Sequence, residues 1–215
     1  MTIDVYRKLR TTPLMELVTV AQQYYDVNAD LRLYHSSLHA ANVLSAVHEL
    51  TDNDPDIALI LAAVWHDAVY FPAAGADANE RCSSAALGIE ARKIARSVEF
   101  TQEQKDAVNK AQDLIEYTAV KYHLHDNRIT GELAVLLDAD LSSLAAPLDQ
   151  FTENQHNIIQ ENGGEVNAEN CIKSAEFLSM FLRCRKRIYH TDKARELWED
   201  QARENIARWC QTDYD

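Results

Sequence analysis

In RLYHSSLHAANVLSAVHEL, residues 32–50, His35 and His39 stand four residues apart at the mouth of a helix-forming stretch. That spacing puts two imidazoles one turn apart on one helix face. A third histidine, with an acid beside it, breaks into the apolar stretch IALILAAVWHDAVY as His66-Asp67. A carboxylate in such surroundings loses much of its hydration, so a partner or a metal must compensate it. Asp140 repeats the pattern, an acid among Leu, Val and Ala in VLLDADLSSL. Taken together, His39, His66, Asp67 and Asp140 are two neutral imidazoles and two carboxylates. They are a donor set for one divalent ion with positions left open for water, and Mn, Fe, Co, Ni, Zn and Mg are not distinguished by it. The plainer alternative for His66 is a buried ring bonded to a backbone carbonyl. A second such pair, His125-Asp126, lies in polar KYHLHDNRIT and reads as surface or loop chemistry.

The elements that must carry these residues read as helices. Five Gly and four Pro in 215 residues leave few turns, and no alternating strand pattern competes, so the expected class is all-α, a helical bundle in a single domain spanning 1–215. The chemistry-bearing core runs from about 32 to 145, followed by C-terminal helices over 147–210. Pro13 opens the first helix. The next covers about 36–50, with Leu38, Ala41, Leu44, Val47 and Leu50 expected on one face. Asp54 is expected to cap a helix beginning at Pro55 and running through Val69, with His66-Asp67 inside it. Further helices are expected at 77–97, at 101–121 behind a Thr101–Gln104 capping box, and at 131–145, 147–161, 167–189 and 192–210, with Gly163-Gly164 as a break.

A formal charge of −13, from 21 basic and 34 acidic residues, argues against a nucleic-acid surface, since a polyanion would be repelled. A small anionic substrate would need a local basic pocket. Arg81, Lys121, Arg128 and the run RCRKR at 183–187 are the candidates, although such a run more often forms a solvated helix face. Four scattered cysteines, Cys82, Cys171, Cys184 and Cys210, have no CxxC spacing and are expected to be reduced, mostly buried thiols. The longest apolar run, 57–65, is half a membrane span, and MTIDVYRKLR has no apolar signal core; a soluble cytoplasmic protein with no membrane partner is expected. Nothing in the sequence fixes an oligomeric state.

The order His39, His66-Asp67, Asp140 resembles the ligand order of the HD superfamily of metal-dependent phosphohydrolases. The chain looks most like its small predicted phosphohydrolases. The segments that carry this are Tyr34-His35, His39, HDAVY at 66–70, Asn79-Glu80, Thr118 to His123, LDADL at 137–141 and, more weakly, QARENIAR at 201–208. A more distant likeness to cyclic-nucleotide phosphodiesterases lies in YHSSLHAANV, IEYTAVKYH and ADLSSLAAP. That resemblance implies that His35 is the proton donor to the leaving group while His39 binds metal. The chain departs from it at Ser36, and at Tyr70 or Phe71 where those enzymes have histidine, so one ion is expected rather than two.

The expectation that follows is hydrolysis of a phosphate ester or anhydride of a small molecule, with a nucleotide as the first guess by family analogy. His35, Asp67 and Glu80 are the catalytic candidates, and His123, Lys121 and Arg81 face the phosphoryl oxygens. One histidine outside the coordination sphere can protonate a departing oxygen, whereas one locked on a metal cannot. For His35 a helix cap is the structural alternative, and for Glu80 an ordinary helix-start acid beside Arg81. Two other functions compete. One is a metal-containing module that binds a nucleotide or metabolite without turnover. The other is an HD-type di-iron oxygenase, which needs six protein ligands and is disfavoured because His123 and His125 are the only histidines between Asp67 and Asp140.

Overall fold

A computed structural model describes residues 5–72, 74–75, 77–124 and 129–212. Among them are ten α-helices and no strand, as the scarcity of turn residues dictates. In chain order they are α1 (Leu14–Asp26), α2 (Ser37–Leu50), α3 (Ile57–Trp65), α4 (Ala78–Ile94), α5 (Gln102–Glu116), α6 (Val120–Leu124), α7 (Gly131–Asp140), α8 (Leu148–Glu161), α9 (Ala168–Cys184) and α10 (Asp192–Gln211). A 3-10 turn, Leu141–Ala145, joins α7 to the C-terminal helices. The bundle is single, and no helix among the described residues is long and apolar enough to cross a membrane.

The centre is α3, whose residues from Ala58 to Trp65 are all buried, with α1, α2, α5 and α7 packed around it. A helix apolar on every side has no solvent face, so it must lie inside. Its start and end both differ from expectation. Asp54 is drawn into ion pairs with Lys8 and Arg7, and the cap is Asp56, whose Oδ1 accepts from Ala58 N at 2.8 Å. At the other end the helix stops at Trp65, four residues short of Val69. Side chains take the carbonyls there: Tyr25 Oη donates to Val64 O at 3.0 Å, and Arg32 donates to Ala68 O at 3.2 Å and to Asp67 O. His66 and Asp67 therefore sit in the turn that closes α3, not within it.

On α2 the buried face is His39, Ala40, Val43, Leu44, Ala46, Val47, His48 and Leu50. Leu38 is 69% exposed and Ala41 is exposed, contrary to the expected stripe. Steps of three lag a 3.6-residue turn by about 60° each, so five residues joined by four such steps cannot share a face. The Thr101–Gln104 capping box is present at α5, which ends at Glu116, leaving α6 as a separate short helix. Gly163, at φ +77°, turns the chain after α8 in a conformation that glycine adopts without strain.

Helix α9 ends at Cys184 instead of 189, and the chain crosses to α10 as an extended strap, 185–191. Two buried acids hold it: Glu199 accepts from the Ile188 and Tyr189 backbones, and Asp138 accepts from His190 N and Thr191 N at 2.7 Å each. Arg185, expected on a solvated face, is buried and donates to His123 O at 2.8 Å. Asn205, from the QARENIAR segment, donates to Leu144 O and Ala146 O and locks α10 onto the 3-10 turn. Only Cys171 of the four cysteines is buried; Cys82, Cys184 and Cys210 are exposed and all four are free thiols. They lie on outer faces of amphipathic helices, which the residue type alone does not report.

Candidate metal centre

Three elements converge on one point. His39 comes from the first turn of α2, His66 and Asp67 from the turn after α3, and Asp140 from the last residue of α7. The donor atoms of His39, His66 and Asp67 all lie within 4.8 Å of one another. His66 Nε2 is 3.0 Å from Asp67 Oδ2 and 3.3 Å from His39 Nε2, and Asp140 Oδ1 is 3.0 Å from His39 Nε2 and 3.4 Å from His66 Nε2. Donors bonded to one ion at about 2.1 Å sit roughly 3.0–3.4 Å apart, so these spacings match the edges of a coordination shell.

The protonation pattern fits a cation as well. His66 Nδ1–H donates to Ala63 O at 2.9 Å, which turns Nε2 toward the cluster beside two carboxylates. Acceptors so crowded repel unless positive charge lies among them. Burial opposes charge on His66, but Asp67 and Asp140 outweigh it and raise its pKa well above the ordinary imidazole value. Asp67 and Asp140 are partly buried as well, yet the surrounding histidines hold both carboxyls well below the carboxylate range. This group of His39, His66 and Asp67 could hold a metal ion.

A cavity of about 760 Å³ opens over the cluster, lined by His35, His39, Asp67, Glu80, Lys121, His123 and Asp140 among others. No family model and no curated protein matches the chain.

His35 lies on this cavity but outside the donor cluster. Its Nδ1–H donates to Glu161 Oε2 at 2.7 Å, its ring stacks on Tyr70 with centroids 4.1 Å apart, and its backbone carbonyl accepts from Arg32 Nε at 2.7 Å. Burial pulls against charge on this ring, but Asp67, Glu161 and Asp140 prevail and raise its pKa above the ordinary value. His123 is bonded inward, with Nε2 2.9 Å from Thr118 O and 3.2 Å from Asp140 Oδ2, so it orients Asp140. Glu80 faces the cavity half-buried, and burial, followed by the charges of Asp67, Asp77 and Asp140, pushes its carboxyl up. Lys121 reaches the cavity wall with its ammonium paired to Asp77. Arg81 is exposed on α4 and does not line the cavity, which corrects its expected place beside the substrate. His125, Asp126 and Arg128 lie outside the described residues.

Two residues that sequence reasoning missed complete the arrangement. Glu161 is an acid in the last turn of α8, where the helix dipole disfavours it; that misfit was the available signal. Its side chain is fully buried and also accepts from His35 N. Arg32, 6% exposed, binds the carbonyls of His35, Asp67 and Ala68 and lies over the Tyr25 ring at 4.7 Å. Nothing in its sequence surroundings marks it.

Proposed function

We propose that this chain is a metal-dependent phosphohydrolase that cleaves a phosphate ester or anhydride of a small molecule, with one divalent ion held by His39, His66, Asp67 and Asp140. One observation carries the reading: His35, held by Glu161 just before α2 begins, faces the same cavity with its ring centroid 5.9 Å from that of the donor His39, without belonging to the donor cluster. A binding module has no use for a separate, carboxylate-oriented imidazole there. The resemblance of the motifs to HD-superfamily phosphohydrolases supports the same reading.

A divalent ion in such a site polarises a phosphoryl oxygen and acidifies water. The chain's own residues do the rest. Glu161 fixes the His35 tautomer with the proton on Nδ1, so that Nε2, when protonated, is the nitrogen that delivers a proton to the departing oxygen. Glu80 lines the cavity as a carboxylate able to orient an attacking water. His123 and Thr118 fix Asp140, and Ala63 O fixes His66.

The test is to load the protein separately with Mn, Co, Ni, Zn, Fe and Mg and follow phosphate release from a panel of phosphorylated metabolites and nucleotides. His39→Ala is expected to empty the site in elemental analysis. His35→Ala is expected to keep metal but lower turnover by roughly a hundredfold, the scale of losing a general acid, and to lower the melting temperature because Glu161 is left buried without its ring partner. The loss should be smaller on a nitrophenyl ester, whose leaving group needs less protonation, than on an alkyl ester. Loss of metal in His35→Ala would make it a ligand, and no turnover with any ion would leave the binding module as the better reading.

A further inference from the structure

The cavity over the cluster has a second wall of a different kind. From α8 and its C-cap, Gln155, Ile158, Ile159 and Asn162 line it, and from α9, Ser174, Phe177, Leu178 and Phe181. Both sets follow the i, i+3, i+4, i+7 spacing of one helix face. Phe177 is 43% exposed and meets Phe181 edge-on with centroids 5.9 Å apart. Gln155 accepts from Ser174 Oγ at 3.1 Å and ties the two helices beneath this surface. Ile158 and Phe177 expose apolar surface to the cavity beside Ile159, Leu178 and Phe181, which also belong to the core, and an apolar wall on a cavity marks a place for a ligand.

The charges on the lining limit what that ligand is. Asp67, Asp77, Glu80 and Asp140 are acidic, and besides the His35 ring the described lining offers two lysines, Lys121 and Lys173, and no arginine. Each is already paired, Lys121 with Asp77 and Lys173 with Glu169 at 2.6 Å. A chain of phosphates would need several free lysines or arginines to neutralise it. One phosphoryl group over one divalent ion needs none. It also fills only a small part of a cavity whose 760 Å³ is in the range that encloses a drug-sized molecule.

Resting on the phosphohydrolase reading above, we infer that the substrate is a monoester of a single phosphate whose alcohol carries a bulky apolar body, seated against the α8–α9 wall, and not a polyphosphate. In the reaction the phosphorus–oxygen bond to the alcohol breaks and one to a water oxygen forms. The alcohol leaves with a proton, and inorganic phosphate is the other product.

Alkyl phosphonates from methyl to octyl carry one phosphonate group that cannot be hydrolysed at this bond, and their binding to metal-loaded protein can be measured by calorimetry. Affinity is expected to rise about fourfold per added methylene until the wall is covered. Phe177→Ala and Ile158→Ala should each reduce that increment and weaken octyl binding more than methyl binding. A flat series, or a nucleoside triphosphate that binds more tightly than octyl phosphonate, overturns the inference. Phosphate release from octyl phosphate, followed in parallel, keeps the two readings apart. A rising series without release supports the apolar wall and retires hydrolysis, whereas release from nucleotides with a flat series retires the wall and keeps hydrolysis.

Discussion

At the scale of single residues the site divides into groups that hold charge and groups that aim it. Glu161 aims: it touches His35 but no residue of the donor cluster. Glu161→Gln keeps an acceptor for His35 but removes the charge. It is expected to lower turnover roughly tenfold or more while metal content by elemental analysis stays at wild type. Loss of metal in that variant would show that Glu161 supports the donor cluster instead. The donors were legible because a His or Asp among Leu, Val and Ala is conspicuous whatever its neighbours in space. Glu161 was not, since it lies 126 residues from His35 and only the fold makes them partners. Arg81 was misplaced for a rotational reason. Asn79 and Glu80 both line the cavity, and at about 100° per helical residue Arg81 is turned roughly 200° from Asn79 and points away.

At the scale of elements, helix identity was legible from periodicity and caps, but helix ends were decided by side chains arriving from elsewhere. Arg32 and Tyr25 close α3 early, and Asp138 and Glu199 draw 185–191 into a strap that the charge run RCRKR did not announce. The strap contains a titrating group of its own. His190 Nδ1 accepts from Arg185 at 3.2 Å, and burial, followed by the positive neighbours Arg185, His123 and Arg195, pushes the His190 pKa down to about 4. In the unfolded chain it titrates near 6.5, so between those values the unfolded chain binds the extra proton. The stability due to neutral His190 is complete above about pH 6.5 and is lost as pH falls toward 4. Melting temperature measured across that window should therefore fall less steeply in His190→Asn than in wild type. Parallel curves would show that the strap tolerates the charged ring.

For the whole molecule, the all-helical class and the order of its elements followed from composition and punctuation, whereas the cavity did not, because it exists only where α8 and α9 face the start of α2. Since the donors come from three elements, an ion bound there stabilises the folded chain by mass action. With metal at a hundred times its dissociation constant, the gain is about 2.7 kcal/mol. For a chain of this size that is a rise of roughly 5–10 °C in melting temperature, measurable by calorimetry with and without chelator. Asp67→Asn should abolish the rise, and a rise that persists would place the ion elsewhere. Arg32 gives this a dimension in time. Its guanidinium ties the carbonyl of His35 to those of Asp67 and Ala68, segments some 35 residues apart, while Asp140 joins His39 across 101 residues of chain. Closing loops of that length costs entropy before their contacts repay it, so the donor cluster is expected to assemble after the folding barrier. The expected consequence is that metal lengthens the life of the native state while leaving the rate of its formation almost untouched, which stopped-flow folding and unfolding with and without chelator measures.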